Sequence, residues 1–277
     1  MTGSATDTAI EVRDVVHSFG ESDDPRRVLA LNNLNLTIRR GELVCFIGPS
    51  GCGKSTMLNM IGGLLTPAEG EVRIGGDLVT APRPRQVAYM FQEGALFPWA
   101  TVLDNIKLGM VFQGVAKSEQ QDRALAALQT VGLADFASHY PSQLSGGMKQ
   151  RVALARALSL QTDILLMDEP FGALDEQTRM VLGEDLSGLL SRANKTIVFV
   201  THSLGEAVFL ADRVFVFTAR PGAIKAILEI EEPHPRKPSF ITSGKYNELR
   251  TELYSLLHEE IRKSMDEQRP GVTASAG

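Results

Sequence analysis

One stretch of the sequence has the residue types and the spacing of a phosphate-binding loop. Residues 48–56, here called the phosphate loop, fit the pattern G-x-x-x-x-G-K-[ST]. Glycines let backbone N–H groups wrap closely around a polyphosphate, the Lys54 ammonium supplies a mobile charge for the β and γ phosphates, and the Ser55 hydroxyl suits Mg²⁺. We expect every residue of the loop to contribute to binding: Gly48, Pro49, Ser50, Gly51, Cys52, Gly53, Lys54, Ser55 and Thr56.

An acidic pair follows an apolar run further along the chain. Ile164 to Met167 is typical of a central parallel strand, whose carboxyl end delivers the next two residues, Asp168 and Glu169, to a ligand crevice. We expect Asp168 to hold Mg²⁺ directly or through water, and Glu169 to polarise a water aimed at the γ phosphate. A solvated pair at a strand end is the alternative, and the phosphate loop upstream argues against it.

Two more residues stand where a ligand would meet them. His202 follows the predicted strand Thr196 to Val200, beside the predicted metal site, which favours a functional role over the structural role usual for a lone histidine. Ser145 precedes a predicted helix, Met148 to Leu160, so its hydroxyl and the free N–H groups of the helix start form a second anion site.

Secondary-structure signals around these residues predict an α/β protein. The apolar run Leu43 to Ile47 predicts a buried strand that leads into the phosphate loop, and a helix is predicted to follow it from Lys54. Before that strand, alternating residues at 10–16 and 34–38 predict a small antiparallel sheet. Helices are predicted at 102–110 and 118–131, the second with Ser118 and Gln121 as a capping box.

Length, charge and cysteine usage narrow the class of protein. The 277 residues carry a formal net charge of −5, so no global cationic field favours nucleic-acid binding. Apolar runs stay below the roughly 18 residues that span a bilayer, and residues 1–7 lack a signal-peptide pattern, so we expect a cytoplasmic chain. Cys45 and Cys52 have no metal-ligand spacing and are expected to be free thiols.

The ends of the chain and one aromatic residue are less informative. Phe19, beside Gly20, is either a platform for a nucleobase or a packing residue, and the residues alone do not decide between them. Residues 231–238 are typical of a linker. An apolar stripe beyond it, from Tyr246 to Ile261, predicts a helix that docks on the body of the protein. Residues 268–277 are expected to fray.

With the phosphate loop, Gln92, Leu144 to Gln150, Ile164 to Glu169 and His202 in this order, the chain resembles the ATP-binding subunit of an ABC (ATP-binding cassette) transporter over about residues 10–230. The resemblance implies a P-loop NTPase core with a mostly parallel sheet, an N-terminal antiparallel β subdomain and an inserted α-helical subdomain at about 93–160. The implied division is a disordered tail at 1–9, the ATPase domain at 10–230, a linker and C-terminal helix at 231–267, and a disordered tail at 268–277.

The resemblance also implies roles for single residues in a head-to-tail dimer that holds two ATP molecules and Mg²⁺. Gln92 would sense the metal and the membrane partner, His202 would contact the γ phosphate, and Phe19 would stack on adenine. Contacts to the ATP of the opposite protomer would come from Ser145, Gly146 and Gly147 of the signature motif and from Asp175 of the loop 173–175. One departure is Met148, where the family usually has Gln.

A separate transmembrane permease is the implied partner, together with a second copy of the chain and, indirectly, a solute-binding protein outside the membrane. The permease would dock near Gln92 to Trp99 and hold the chain on the cytoplasmic face of the membrane; the alternative is that Phe97 and Trp99 only pack the helical subdomain. Residues 93–99, 171–175 and 219–223 look like those of nitrate, sulfonate, taurine and bicarbonate importers.

Three other classes of protein share part of this pattern. A soluble ABC ATPase of translation or DNA repair would carry two cassettes or a long coiled-coil insertion, whereas only about fifty residues separate Gln92 from Leu144. A small-molecule kinase has no use for the signature at 144–147. A purely regulatory nucleotide-binding subunit would lack at least one catalytic group, whereas the motifs of this chain include every catalytic group that the family uses.

Overall fold

The structure is a computed structural model that describes residues 7–20, 24, 26–172, 174, 179, 182–184, 186–188 and 195–267. In chain order its labelled elements are β1 (Thr8–Phe19), β2 (Val28–Arg39), β3 (Leu43–Ile47), α1 (Lys54–Ile61), β4 (Glu69–Ile74), β5 (Asp77–Leu78), β6 (Val87–Met90), α2 (Val102–Gln113), α3 (Lys117–Thr130), α4 (Gly146–Ser159), β7 (Ile164–Asp168), β8 (Thr196–Val200), α5 (Leu204–Leu210), β9 (Arg213–Phe217), β10 (Ile224–Glu229), α6 (Pro238–Ile241) and α7 (Gly244–Glu267).

A six-stranded sheet forms the centre of the fold, in the order β10-β9-β3-β8-β7-β6. Its strands are parallel except β10, which pairs antiparallel with β9. Every residue of β3, β7 and β8 is buried, as expected for parallel strands covered on both faces. The predicted α/β fold with a mostly parallel sheet is confirmed.

The N-terminal sheet is antiparallel, in the order β2-β1-β4-β5, which confirms that prediction too. Its first two strands extend beyond the predicted alternation because each pairs with the other along twelve residues. β1 begins at Thr8, inside the segment expected to be a tail, since Thr8 lies opposite Arg39 and the Asp7 carbonyl accepts the Arg40 N–H at 2.8 Å. The rest of both predicted tails, residues 1–6 and 268–277, lies outside the described residues.

Helices α2, α3 and α4 pack against one another between β6 and β7 of the chain. The Thr101 side chain caps α2 by accepting the Asp104 N–H. The predicted capping box of α3 is wrong: that helix starts at Lys117, its N-cap is Ala116 with no side-chain cap, and Ser118 lies inside the first turn.

The C-terminal helix α7 docks on the body, against α5 and β9. Leu253, Leu257 and Glu260 are buried along the docked face. Ile261, which the apolar stripe placed on the same face, is 39% exposed, and its neighbour Glu260 takes the buried position of that turn instead.

The sheet topology determines where the predicted functional residues meet. β6, β7, β8, β3 and β9 are neighbours and parallel, so their carboxyl ends lie along one edge of the sheet. The phosphate loop follows β3, Glu169 follows β7, and His202 and Gln92 come two residues after β8 and β6.

Candidate nucleotide-binding and hydrolysis site

A cavity of about 480 Å³ lies at this edge of the sheet. It brings together residues of the phosphate loop, Phe19 at the end of β1, and the predicted residues that follow β6, β7 and β8. Its lining consists of Phe19, Val28, Ala30, Ser50, Gly51, Gly53, Lys54, Ser55, Thr56, Gln92, Glu169, His202 and Arg220.

The phosphate loop is tightly organised around Lys54. Its side chain is only 5% exposed, and the ammonium donates to the carbonyls of Gly48 at 2.9 Å and Pro49 at 2.7 Å. Gly53 has φ +98°, and a Cβ there would lie 2.5 Å from Leu31 Cδ2, so only glycine suits this position. These contacts fix the backbone of the loop from inside, through Lys54, and from outside, through Leu31.

Ser55 and Asp168 bring two oxygen ligands together. The Ser55 hydroxyl donates to Asp168 Oδ1 at 3.0 Å. Mg²⁺ binds oxygens at about 2.1 Å in an octahedron, which places neighbouring ligands about 3 Å apart, so the pair fits the ion. Burial raises the pKa of Asp168, while the bond from Ser55 acts in the opposite direction.

Glu169 is the point where three predicted residues meet. His202 Nε2 lies 2.8 Å from Oε1, and Gln92 Nε2 donates to Oε2 at 3.1 Å. The Glu169 backbone has φ +48°, a left-handed conformation that is costly for a side chain other than glycine and is concentrated at functional sites. The carboxylate thus lines the cavity in contact with both His202 and Gln92.

Gln150, on α4, is a further side chain that supports Glu169, and no sequence motif pointed to this role. Its side chain is buried, and Nε2 donates to the Glu169 carbonyl at 3.1 Å. The sequence signal that could have indicated this role is a glutamine about one helical turn after Gly147. The contact links the helix of the signature motif to the acidic pair.

A second contact that the sequence did not reveal supports the loop of His202. Thr201 donates to the carboxylate of Glu206, and the Thr201 hydroxyl accepts the Ser203 N–H at 3.0 Å. Glu206 also pairs with Arg179, at 3.3 Å. Burial raises the pKa of Glu206, and the bond from Thr201 and the charge of Arg179 counter that effect. His202 is thus held between β8 and α5.

Phe19, the last residue of β1, lines the same cavity. Its ring is 48% exposed and meets His17 edge-on, with centroids 4.9 Å apart. The exposed part of the ring lines the cavity and is accessible to a ligand. Its free face is suited to a nucleobase.

The signature residues lie elsewhere on the molecule. Ser145 is the N-cap of α4 and accepts the Met148 N–H at 3.2 Å. Ser145 and Gly146 are exposed, Gly147 is half-buried, and the cavity described above is lined by other residues. Met148, the departure from the family pattern, packs its side chain against the main apolar core. The predicted Asp175 lies outside the described residues.

The segment after Gln92 borders a second cavity, of about 880 Å³, between the helical region and the central sheet. Arg156 of α4 holds this segment by donating to the carbonyls of Gly94 at 2.7 Å and Ala95 at 2.9 Å. Trp99 is 74% exposed and its ring meets that of half-buried Phe97 with centroids 5.4 Å apart, so most of the Trp99 side chain faces outwards. Side chains that line the groove include Tyr89, Phe91, Gln92, Leu96, Pro98 and Lys149.

Two remaining predictions concern the cysteines and the membrane. Cys45 and Cys52 are free and buried, and burial raises the pKa of both thiols, so neither is activated. Within residues 7–267, as far as they are described, no helix has the length and apolarity needed to cross a membrane.

Comparisons with known proteins agree with this arrangement. The family model described as ABC transporter matches residues 31–172. The chain is 48% identical over 206 residues to a nitrate import ATP-binding protein of Synechocystis, covering 74% of this chain and 77% of that protein. It is 42% identical over 247 residues to a taurine import ATP-binding protein of Rhizobium johnstonii, covering 86% and 94%. A dimeric ATP-binding cassette solved in a post-hydrolysis state with ADP and Pi superposes with a TM-score of 0.73 at 34% identity, covering 81% of this chain and all of that chain.

Proposed function

The chain belongs to the ABC transporter family, and on that basis we propose that it is the ATP-binding and ATP-hydrolysing subunit of an importer whose transmembrane permease is a separate protein. The observation that carries the proposal is the meeting of Gln92 and His202 on the two carboxylate oxygens of Glu169, at 3.1 and 2.8 Å, in the cavity that the phosphate loop lines. A site that only binds nucleotide would not need this arrangement.

ATP binds with its triphosphate in the phosphate loop. Lys54 exchanges its bonds to the carbonyls of Gly48 and Pro49 for bonds to the β and γ phosphates. The N–H groups of the phosphate loop and the start of α1 contribute further partial positive charge. Phe19 stacks on the adenine at the other end of the cavity.

Hydrolysis depends on how Glu169 is held. Its carboxylate accepts a proton from water while the water oxygen attacks the γ phosphorus, and the bond between that phosphorus and the β–γ bridging oxygen breaks. His202 keeps the carboxylate oriented and donates to a γ-phosphate oxygen. Ser55, Asp168 and Gln92 would hold Mg²⁺, which neutralises charge that develops on the phosphates.

A second copy of the chain completes each site. Ser145, Gly146 and Gly147 lie outside the cavity of their own chain and start a fourteen-residue helix, so an exposed anion site is available to the ATP of the other protomer. One phosphate loop and one signature per chain make two equivalent sites in a symmetric dimer. We include Asp175 in this interface, as the family resemblance implies.

The permease would dock in the 880 Å³ groove beside Gln92. Gln92 contacts Glu169 at one end of the segment, and Trp99 stands exposed at the other end as an aromatic anchor. Movement of Gln92 on hydrolysis therefore reaches the surface where the permease binds. In this proposal the subunit lies on the cytoplasmic face of the membrane, and a solute-binding protein on the opposite face delivers the solute.

We place the importer in the group that carries nitrate, sulfonates, taurine or bicarbonate. The support is the likeness to the nitrate and taurine import proteins and the matching residues 93–99 and 219–223. The ATPase domain spans about residues 10–230 in this proposal, with the helical subdomain at 93–160.

The experiment that tests the nucleotide site compares ATP binding by the parent protein and Lys54→Ala. We expect the variant to bind ATP at least about tenfold more weakly, because a buried ammonium that would contact phosphate is removed. Lys117→Ala, which removes an exposed ammonium at the start of α3, is the matched control and should bind as the parent does. Parent-like affinity of Lys54→Ala would refute the assignment of the phosphate loop.

A further inference from the structure

Arg220 lines the nucleotide cavity, and it lies in the turn 219–223, which resembles that of an importer group but carries no predicted site residue. Arg220 Nε donates to the carbonyl of Gly51 at 3.1 Å. A Cβ built on Gly51 would lie 2.6 Å from Arg220 Nη2, so the guanidinium lies directly against the backbone of the phosphate loop. The turn follows β9, whose carboxyl end shares the edge of the sheet with the phosphate loop.

The charge balance of the cavity depends on this guanidinium. The charged side chains of its lining are the cations Lys54 and Arg220 and the carboxylate Glu169, so the lining is net positive only because Arg220 is present. The Lys54 ammonium already donates to two carbonyls. Nη1 and Nη2 of Arg220 have no hydrogen-bond partner among the residues that the structure describes, and the side chain is exposed.

The turn that carries Arg220 is fixed to the body on one side by β2. Gly222 donates its N–H to Ala30 O at 2.9 Å, and its carbonyl accepts the Asn32 N–H at 3.0 Å. A Cβ on Gly222 would lie 2.0 Å from Cys52 O, so the turn also lies directly on the phosphate loop. These contacts leave little freedom for the backbone beside Arg220.

On its other side the turn is held by the C-terminal helix. Glu260 of α7, 2% exposed, accepts the Ala219 N–H at 2.8 Å. The same carboxylate accepts from Lys225 at 3.0 Å and Lys263 at 2.9 Å. A buried acid that bonds the residue immediately before Arg220 therefore connects α7 to the cavity.

We propose that Arg220 is a further nucleotide-binding residue that contacts the polyphosphate of ATP through its free Nη groups, and that Glu260 is the positioning residue which lets α7 hold it there. A guanidinium presents a planar fork of donors that matches phosphate oxygens, and such charge-assisted bonds are stronger than neutral ones. This inference rests on the proposed function, because it assigns an added contact to the same substrate.

The test measures binding of ATP, ADP and adenosine to the parent, Arg220→Ala and Arg220→Lys, with Arg262→Ala on the exposed side of α7 as the charge-matched control. We expect Arg220→Ala to weaken ATP and ADP about tenfold, which corresponds to about 1.4 kcal/mol, and to leave adenosine unchanged. The salt dependence of ATP binding should decrease as well. Arg220→Lys should recover part of the loss, since it retains the charge without the fork.

Glu260→Gln tests the positioning role in a way that a purely structural role would not imitate. Alone it should weaken ATP binding by a smaller factor than Arg220→Ala, and in the Arg220→Ala background it should have no further effect, because it acts through Arg220. Melting temperatures identify any variant that fails to fold.

The outcomes separate this inference from the proposed function. A parent that binds ATP, with Arg220→Ala equal to Arg262→Ala, overturns the role of Arg220 alone. Equal weakening of ATP, ADP and adenosine shows that Arg220 only supports the loop and also overturns the proposal. Additive losses in the double variant overturn the role of Glu260. A parent that binds no ATP overturns the proposed function itself.

Discussion

Among single residues, Glu169 is the one that the other residues of the candidate site contact. A left-handed backbone at a residue other than glycine costs of order 1 kcal/mol, and here it is maintained by Gln92 and His202 on the carboxylate and by Gln150 on the carbonyl. The cost is consistent with a carboxylate that must face both water and the γ phosphate. His202, whose side chain is 45% exposed, is in turn free to reach a bound nucleotide.

His202→Ala should separate catalysis from binding. Because His202 orients Glu169 and its removal leaves the phosphate loop, residues 48–56, untouched, we expect kcat for ATP hydrolysis to fall about 10²- to 10³-fold while the affinity for ATP changes less than about threefold. Steady-state kinetics and nucleotide titration measure both, with His258→Ala on α7 as control. An unchanged kcat together with weakened ATP binding would contradict a catalytic role for His202.

Residues at strand ends were predictable, and their supporting contacts were not. Asp168, Glu169 and His202 follow apolar runs that identify parallel strands. Because the carboxyl ends of parallel strands lie at the same edge of a sheet, these residues are expected to meet there. Gln150 contacts Glu169, which is 19 positions away in the sequence, and Arg220 contacts Gly51, which is 169 positions away. No local sequence pattern encodes contacts over such separations. Sequence therefore indicated the reacting groups and left out the side chains that hold them.

At the scale of elements, α7 is joined to the body by a buried acid as well as by apolar contacts. Burial opposes ionisation of Glu260, but bonds from the Ala219 N–H, Lys263 and Lys225 lower its pKa to about 2. Since the folded-state pKa lies below the usual value of 4.5, the stabilisation is fully present above about pH 4.5 and is lost as pH falls towards 2.

Glu260→Gln should therefore lower the free energy of unfolding at pH 7 by up to about 3 kcal/mol, and the difference from the parent should shrink between pH 4.5 and 2. Urea unfolding at pH 7, 4 and 3 measures this. Glu259→Gln is the matched control, since that carboxylate is 71% exposed and should contribute little. A difference that stays constant with pH would show that the charge of Glu260 is not the cause.

Element types were predictable from hydrophobic pattern, whereas their ends depended on partners. β1 and β2 extend beyond the segments in which apolar and polar residues alternate, because each strand supplies the hydrogen-bond partners of the other. The start of α3 carried a capping pattern that the chain does not use, because the backbone turns into the helix at Ala116. Ile261 continued an apolar stripe and still lies in solvent.

The whole molecule presents three surfaces that one mechanism needs: the cavity, the exposed signature at the start of α4, and the groove beside Gln92. Glu169 is within one contact of each, through the phosphate site, Gln150 and Gln92. Under the proposed function, a change in charge at the γ phosphate would alter the dimer contact and the permease contact together.

Trp99 offers a direct report on the permease contact, since it is the single tryptophan of the chain and is 74% exposed. Docking should bury its ring, so we expect its emission to shift to shorter wavelength with membranes that contain the permease and to stay unchanged with empty vesicles. Trp99→Phe removes the signal. Unchanged emission from protein that demonstrably sediments with the permease would place the contact elsewhere.

The most direct test of the ATP-driven dimer is the size and ATPase rate of the parent and Glu169→Gln, each with and without Mg-ATP. Because the variant keeps the phosphate loop and loses the group that accepts the proton from water, we predict that it binds ATP, does not turn over, and changes from monomer to dimer when ATP is added, while the parent hydrolyses slowly and stays monomeric. Hydrolysis by Glu169→Gln at the parent rate, or an ATP-bound variant that stays monomeric, would contradict the role of Glu169 or the sandwich dimer, respectively.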